Sequence, residues 1–123
     1  MAKSVLIVED EGAMQRALKN KLEKAGYQVF LANDGTEALE QMKQHKPSLM
    51  LLDLIMPKLD GISVLREVKG NDDLKNIPVI ILTNLSSGDK VAEAMQLGTF
   101  DFLVKANYSL DDVLAKVKER ICE

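Results

Sequence analysis

The sequence predicts an open α/β sheet of five parallel strands, covered on both faces by helices, in the strand order 2-1-3-4-5. Three observations carry that expectation. Five short apolar runs alternate with five stretches of helical periodicity, which is the pattern of repeated strand-helix-strand units joined by right-handed crossovers. Three of the runs are apolar without a break, as strands buried on both faces are, whereas the second and fifth carry an interior polar residue and suit the two edges. A closed barrel of such units needs eight, so the sheet stays open.

The first run is Val5-Leu6-Ile7-Val8, and the helical stretch after it carries Met14, Ala17, Leu18, Leu22 and Ala25 before stopping at Gly26. The second run, Tyr27 to Leu31, is interrupted by Gln28. Asp34-Gly35-Thr36-Glu37 then reads as a capping box opening a helix through Ala38, Leu39 and Met42. The third run is Leu49-Met50-Leu51-Leu52. Its helix carries Ile62, Leu65 and Val68 and ends near Gly70, and Asn71 to Asn76 reads as a solvated loop. The fourth run is Val79-Ile80-Ile81-Leu82, followed by Val91, Ala94 and Met95 and a stop at Gly98. The fifth, Phe100 to Val104, holds Asp101. Ser109-Leu110-Asp111-Asp112 is a second capping box, leading Val113, Leu114, Val117 and Ile121. This is the flavodoxin-like (βα)5 arrangement, in which ligands bind beyond the carboxyl ends of the strands, at the crevice between the first and third.

Composition narrows the function classes. The 123 residues are the size of one domain, with 46% apolar and 28% charged residues, the balance of a folded soluble chain. A single cysteine, Cys122, excludes a disulfide scaffold and a cysteine-ligated zinc site. A formal net charge of −3 lacks the basic footprint of a nucleic-acid binder. No apolar run approaches the roughly 18 residues of a membrane span, and the first strand begins too soon for a cleavable signal. A cytoplasmic protein with neither nucleic-acid nor membrane partners is expected.

The strand ends carry the chemistry. The first strand runs into Glu9-Asp10-Glu11, the third ends in Asp53, the fourth in Thr83 and the fifth in Lys105. Strands one and three are neighbours in the expected order, so Glu9, Asp10 and Asp53 should converge. Carboxylates gathered so closely call for a cation, and oxygen ligands without nearby His or Cys select a hard ion such as Mg²⁺. Lys105 supplies a fixed positive charge and Thr83 a hydroxyl donor, a set that suits phosphoryl transfer. Neither GxxxxGK[ST] nor GxGxxG is present, so a nucleotide is not the expected donor. Asp53 is the best candidate for a nucleophile carrying an acyl phosphate.

At these residues the chain resembles the receiver domains of two-component response regulators. The resemblance rests on Val8-Glu9-Asp10, Leu52-Asp53-Leu54-Ile55-Met56-Pro57, Asp60-Gly61, Thr83 and Val104-Lys105, with spacings of 43, 30 and 22 residues from Asp10 onward. It covers residues 1–123 as one receiver domain, and a stand-alone receiver is the expectation. It implies Asp53 as phospho-acceptor and Mg²⁺ held by Glu9 (through a water), Asp10, Asp53 and the backbone carbonyl of Ile55. It implies Lys105 and Thr83 as partners of the phosphoryl group, and Phe102 as the aromatic position that moves inward with Thr83. Ile55 and Leu85, two residues after the acceptor and two after the hydroxyl, would flank the path of hydrolytic water. The implied donor is a phosphohistidine on a sensor histidine kinase or histidine phosphotransfer protein. The implied output is a downstream protein bound at the face of the fourth helix, fifth strand and fifth helix. Such a switch catalyses only its own phosphorylation and dephosphorylation.

Two positions depart from the family pattern. Ala106 follows Lys105 where proline is usual, often after a cis bond. A cis bond before alanine costs about 3–4 kcal/mol, so the loop either carries that strain or takes another path. Asn84 follows Thr83 where a very small residue is common, which narrows access to the phosphate. A Mg²⁺-dependent phosphatase of the haloacid dehalogenase type also uses a nucleophilic aspartate, but needs an acid two residues later, where this chain has Ile55. The other rival, a receiver that only binds partners, is disfavoured because every acceptor residue is present. His45 reads as a solvated cation at a helix C-terminus, the methionines as gap-fillers, and Glu11 as a marginal candidate for the metal shell.

Overall fold

The computed structural model describes residues 3–54, 60–83, 88–99, 101–104 and 109–121. Strands β1 (Ser4–Val8), β2 (Gln28–Ala32), β3 (Leu49–Asp53), β4 (Val79–Thr83) and β5 (Asp101–Val104) alternate with helices α1 (Gly12–Lys24), α2 (Gly35–His45), α3 (Gly61–Lys69), α4 (Gly88–Gln96) and α5 (Leu110–Arg120). The strands form one parallel sheet in the order β2-β1-β3-β4-β5, the flavodoxin-like order expected. The unbroken apolar runs are its three central strands. Val5 to Val8, Leu49 to Leu52 and Val79 to Leu82 are all fully buried. Gln28, at the start of the edge strand β2, is exposed.

Strand alternation divides the core into two layers. Leu6, Val8, Met50, Leu52, Val79 and Ile81 pack with Met42 of α2, Ile62, Leu65 and Val68 of α3 and Ala94 of α4. Val5, Ile7, Leu49, Leu51, Ile80 and Leu82 face the other way, against Leu18 and Leu22 of α1 and Val113 and Val117 of α5. Each fully buried Leu or Ile is worth about 1.5–3 kcal/mol, so the central strands are held from both sides and their carboxyl ends are firm supports. The glycine stops also form: Gly26 after α1 and Gly98 after α4 have φ of 99° and 98°, the left-handed conformation that glycine adopts without a Cβ clash.

The capping signals resolve unequally. Ser109 and Asp112 close the expected box, each side chain bonding the other's backbone N–H. Asp34 accepts from Glu37 N at 3.0 Å. Glu37, however, does not complete the reciprocal half. Its carboxylate accepts from the N–H of Asn33 at 3.1 Å and from the Asn33 amide at 3.2 Å, two bonds where the box offers one.

The segment after α3 departs from the solvated loop expected. Asp72 is exposed, but Leu74 N and Lys75 N both donate to Asn71 O, and Asn71 Oδ1 accepts from Asp73 N at 2.8 Å. This single helical turn carries Leu74 into the core at 1% exposure. His45 ends α2 in an exposed position, as expected, and its ring stacks on Phe30 of the edge strand with centroids 3.9 Å apart. Met42 and Met50 fill the core, whereas Met95 is 41% exposed.

Candidate functional site

The site grows out of the register between β1 and β3. Val8 pairs with Leu52, so the residues that follow them, Glu9 and Asp53, emerge at the same level of the sheet. Glu9 N donates to Ala32 O at 3.1 Å, extending the pairing with β2 one step beyond β1. The chain then leaves the sheet through Asp10 and Glu11 and enters α1. Glu9 is fully buried, Asp53 is 4% exposed and Asp10 is exposed. Carboxylate oxygens of these three residues lie within 4.8 Å of one another. Glu11 stands outside this group, exposed at the N-cap of α1, with its N–H donated to Glu9 Oε1 at 3.2 Å.

The donor set fits a small hard cation. At Mg²⁺–oxygen distances of about 2.0–2.1 Å, octahedral ligands stand about 3 Å apart when adjacent and about 4.2 Å apart when opposite. Carboxylate oxygens within 4.8 Å of one another suit that geometry, with Asp10 and Asp53 as direct ligands and Glu9 reaching the ion through a water. An all-carboxylate set with no imidazole or thiolate favours Mg²⁺ over a softer metal. Glu9 and Asp53 are walled in by the sheet while Asp10 faces solvent, so an ion held here keeps an open side for water or a phosphoryl oxygen.

The backbone beneath Asp53 is held by a contact that only glycine permits. A Cβ on Gly61 would stand 2.6 Å from both Asp53 O and Leu54 Cα. Gly61 N donates to Leu54 O at 3.0 Å, so the start of α3 lies directly on the end of β3. Asp60, the preceding residue, caps α3 by accepting from Ser63 N at 2.9 Å. That backbone hydrogen bond holds the Asp60 carboxyl below its ordinary pKa of 3.8. Partial burial opposes the shift, while the Ser63 hydroxyl and Lys90 assist it. Lys90 of α4 approaches Asp60 Oδ2 at 3.9 Å.

Of the residues singled out in the sequence, Glu9, Asp10 and Asp53 are therefore brought together. Thr83 closes β4, where it pairs with Val104, but its side chain lies outside the described structure. Phe102 pairs with Ile81, one alternate step along the same ladder, and is 39% exposed. Lys105, Ile55, Leu85, Asn84 and the Lys105–Ala106 bond lie outside the described residues.

Gln15 was not among the candidates. It lies on the buried stripe of α1 with Leu18 and Leu22, and its Nε2 meets Glu9 O at 2.6 Å, Asn33 Oδ1 at 2.7 Å and Ala32 O at 3.3 Å. The available signal was a polar residue at an apolar position of the 15-18-22 stripe.

The sequence matches the family model described as the response regulator receiver domain over residues 5–118. It is 34% identical over 118 residues to the response regulator MprA of Mycobacterium tuberculosis, covering 96% of this chain and 50% of that protein. The chain thus spans about half the length of the curated relatives it matches. Among solved structures it resembles the signal receiver domain of a signal transduction histidine kinase from Syntrophus aciditrophicus (TM-score 0.87, 36% identity, 96% of this chain and 89% of that one). It also resembles the receiver domain of sensor histidine kinase PA1611 from Pseudomonas aeruginosa (TM-score 0.88, 26% identity, 100% of this chain and 100% of that one), which holds a magnesium ion in its active-site cleft. The chain belongs to the response regulator receiver domain family of two-component signalling. No helix among the described residues is long and apolar enough to cross a membrane.

Two outcomes test the support of the site. Gly61→Ala forces backbone atoms apart and should cost about 1–3 kcal/mol in urea unfolding, as overpacking a tight site does; unchanged stability would contradict the contact. Asp60→Ala should cost about 1 kcal/mol at pH 7 by removing the α3 cap. A carboxyl with a lowered folded pKa stabilises the fold above its unfolded value and loses that contribution as pH falls through the folded one. The gap between wild type and Asp60→Ala should therefore narrow below pH 3.8 in unfolding curves taken across that range.

Proposed function

We propose that this receiver domain accepts a phosphoryl group on Asp53 from a phosphohistidine of a sensor histidine kinase or histidine phosphotransfer protein, with Mg²⁺, and thereby switches a protein-binding face. The observation that carries this reading is the convergence of Glu9, Asp10 and Asp53 at the carboxyl edge of the sheet. A carboxylate oxygen of Asp53 attacks phosphorus, the phosphorus–nitrogen bond breaks, and the histidine nitrogen leaves with the electron pair. Mg²⁺ bound to these oxygens supplies neutralisation of the charge on the phosphoryl oxygens. Asp10 and Asp53 would hold the ion with the Ile55 carbonyl, and Glu9 through a water.

The burial of Asp53 restricts water at the acyl phosphate it forms. Lys105 pairs with the phosphoryl oxygens and Thr83 donates its hydroxyl to them. The exposed ring of Phe102 then turns inward behind Thr83, which alters the surface of α4, β5 and α5 offered to a downstream protein. In this role the domain is a signalling switch acting on itself.

Mass spectrometry after incubation with acetyl phosphate and Mg²⁺ tests the acceptor. The wild type should gain one phosphoryl group and Asp53→Ala none. Continuous phosphate release would instead indicate a phosphatase, and an unchanged mass a domain that only binds partners. The lifetime of the phosphorylated form is a second test. Ile55 and Leu85 are apolar and neither can orient the attacking water. An Ile55→Asn, Leu85→Glu double variant should lose its phosphate about 10- to 100-fold faster, the usual gain from a positioned polar group. Equal decay would remove both residues from that role.

A further inference from the structure

We infer that Gln15 is a positioning residue for the cation site, setting the metal affinity of the acidic loop through its backbone; this rests on the Mg²⁺ reading of that site. Gln15 is 8% exposed, in the first turn of α1. Its two N–H groups face three acceptors, so one is shared, and two of the acceptors are backbone carbonyls, of Glu9 and Ala32, which only the NH₂ end of the amide can satisfy. The orientation of the side chain is therefore fixed by its partners. The third acceptor, Asn33 Oδ1, lies on the loop between β2 and α2, and Asn33 is itself tied to Glu37.

The effect on Glu9 is specific. Its N–H is tied to Ala32 O and its carbonyl to Gln15, so both backbone polar groups of a proposed ligand residue are held. Glu11 N–H holds its carboxylate from the other side. Asp10, the next residue, leaves the sheet from this clamped point. Without the amide, the Glu9 carbonyl and the turn into α1 are held less firmly, and more of the arrangement of the carboxylates is left to the binding of the ion. Outer partners of this kind typically alter metal affinity by about 10- to 100-fold.

The test is Mg²⁺ affinity, measured by isothermal titration calorimetry with Mg²⁺ alone and by amide shifts of Asp10 and Glu11. Gln15→Met keeps length and net charge and removes the carboxamide, both its donor and its acceptor, so any change in affinity is not Coulombic. Its dissociation constant should rise about tenfold. Leu22→Val, on the same stripe of α1 but packed in the core, controls for lost stability and should bind Mg²⁺ as the wild type does. Should Gln15→Met fail to fold, Gln15→Glu replaces it. An added negative charge by itself tightens cation binding, whereas loss of the amide weakens it, and weaker binding is expected. Wild-type affinity in Gln15→Met, equal weakening in Leu22→Val, or tighter binding in Gln15→Glu would overturn the inference. A wild type that binds no Mg²⁺ would overturn the reading beneath it as well.

Discussion

Three carboxylates within 4.8 Å of one another must be held against their mutual repulsion, and the adjacency of β1 and β3 does this. Carboxylates gathered this closely repel one another whenever they are ionised. A single hydrogen bond returns about 1 kcal/mol, so no one bond in the loops could keep the group together. The restraint comes from below. Val5 to Val8 and Leu49 to Leu52 are fully buried and interlocked with helices on both faces, and the acids are the residues that follow. The acidic group sits where the sheet ends, because there side chains lean on a rigid core and still meet solvent.

Around that centre the supports differ in strength. Gly61 against the Asp53 carbonyl is a hard steric contact, with no room for a methyl group. The Asp60 cap and the Gln15 clasp are hydrogen bonds with defined partners. The ion pairs joining α3 to α4, Lys90–Asp60 and Arg66–Glu93, are solvent-exposed and worth about 0.2–1 kcal/mol each. The acidic group thus rests on a hard contact and on hydrogen bonds with defined partners, while α3 and α4 already meet through Ala94 in the shared core and these ion pairs add little.

Legibility in the sequence followed the range of the interaction. Unbroken apolar runs located the central strands, and Gly26 and Gly98 marked two helix ends, because those signals lie within a few adjacent residues. The Ser109 box formed as read, all its partners being local. Glu37 shows the limit: the residue is the right one, but its partner became Asn33 once the chain could offer two donors there. Leu74 escaped notice because one apolar residue in a polar segment has no period, and only the turn at Asn71 aims it inward. Glu9, Asp10 and Asp53 were legible as a group because strand-end positions and an expected strand order bring them together.

What the sequence determined by itself is the order of elements, the faces they bury and the identity of the clustered acids. These depend on periodicity and on the end of each apolar run, which are written in one dimension. Tertiary structure alone decided that Gly61 presses on the Asp53 backbone, that Leu74 joins the core, and that the Gln15 amide spans the ends of β1 and β2. The reason is geometric. A contact between residues of different elements depends on distances and directions set only when those elements pack, and a polar side chain on an apolar stripe does not announce which carbonyl it will meet.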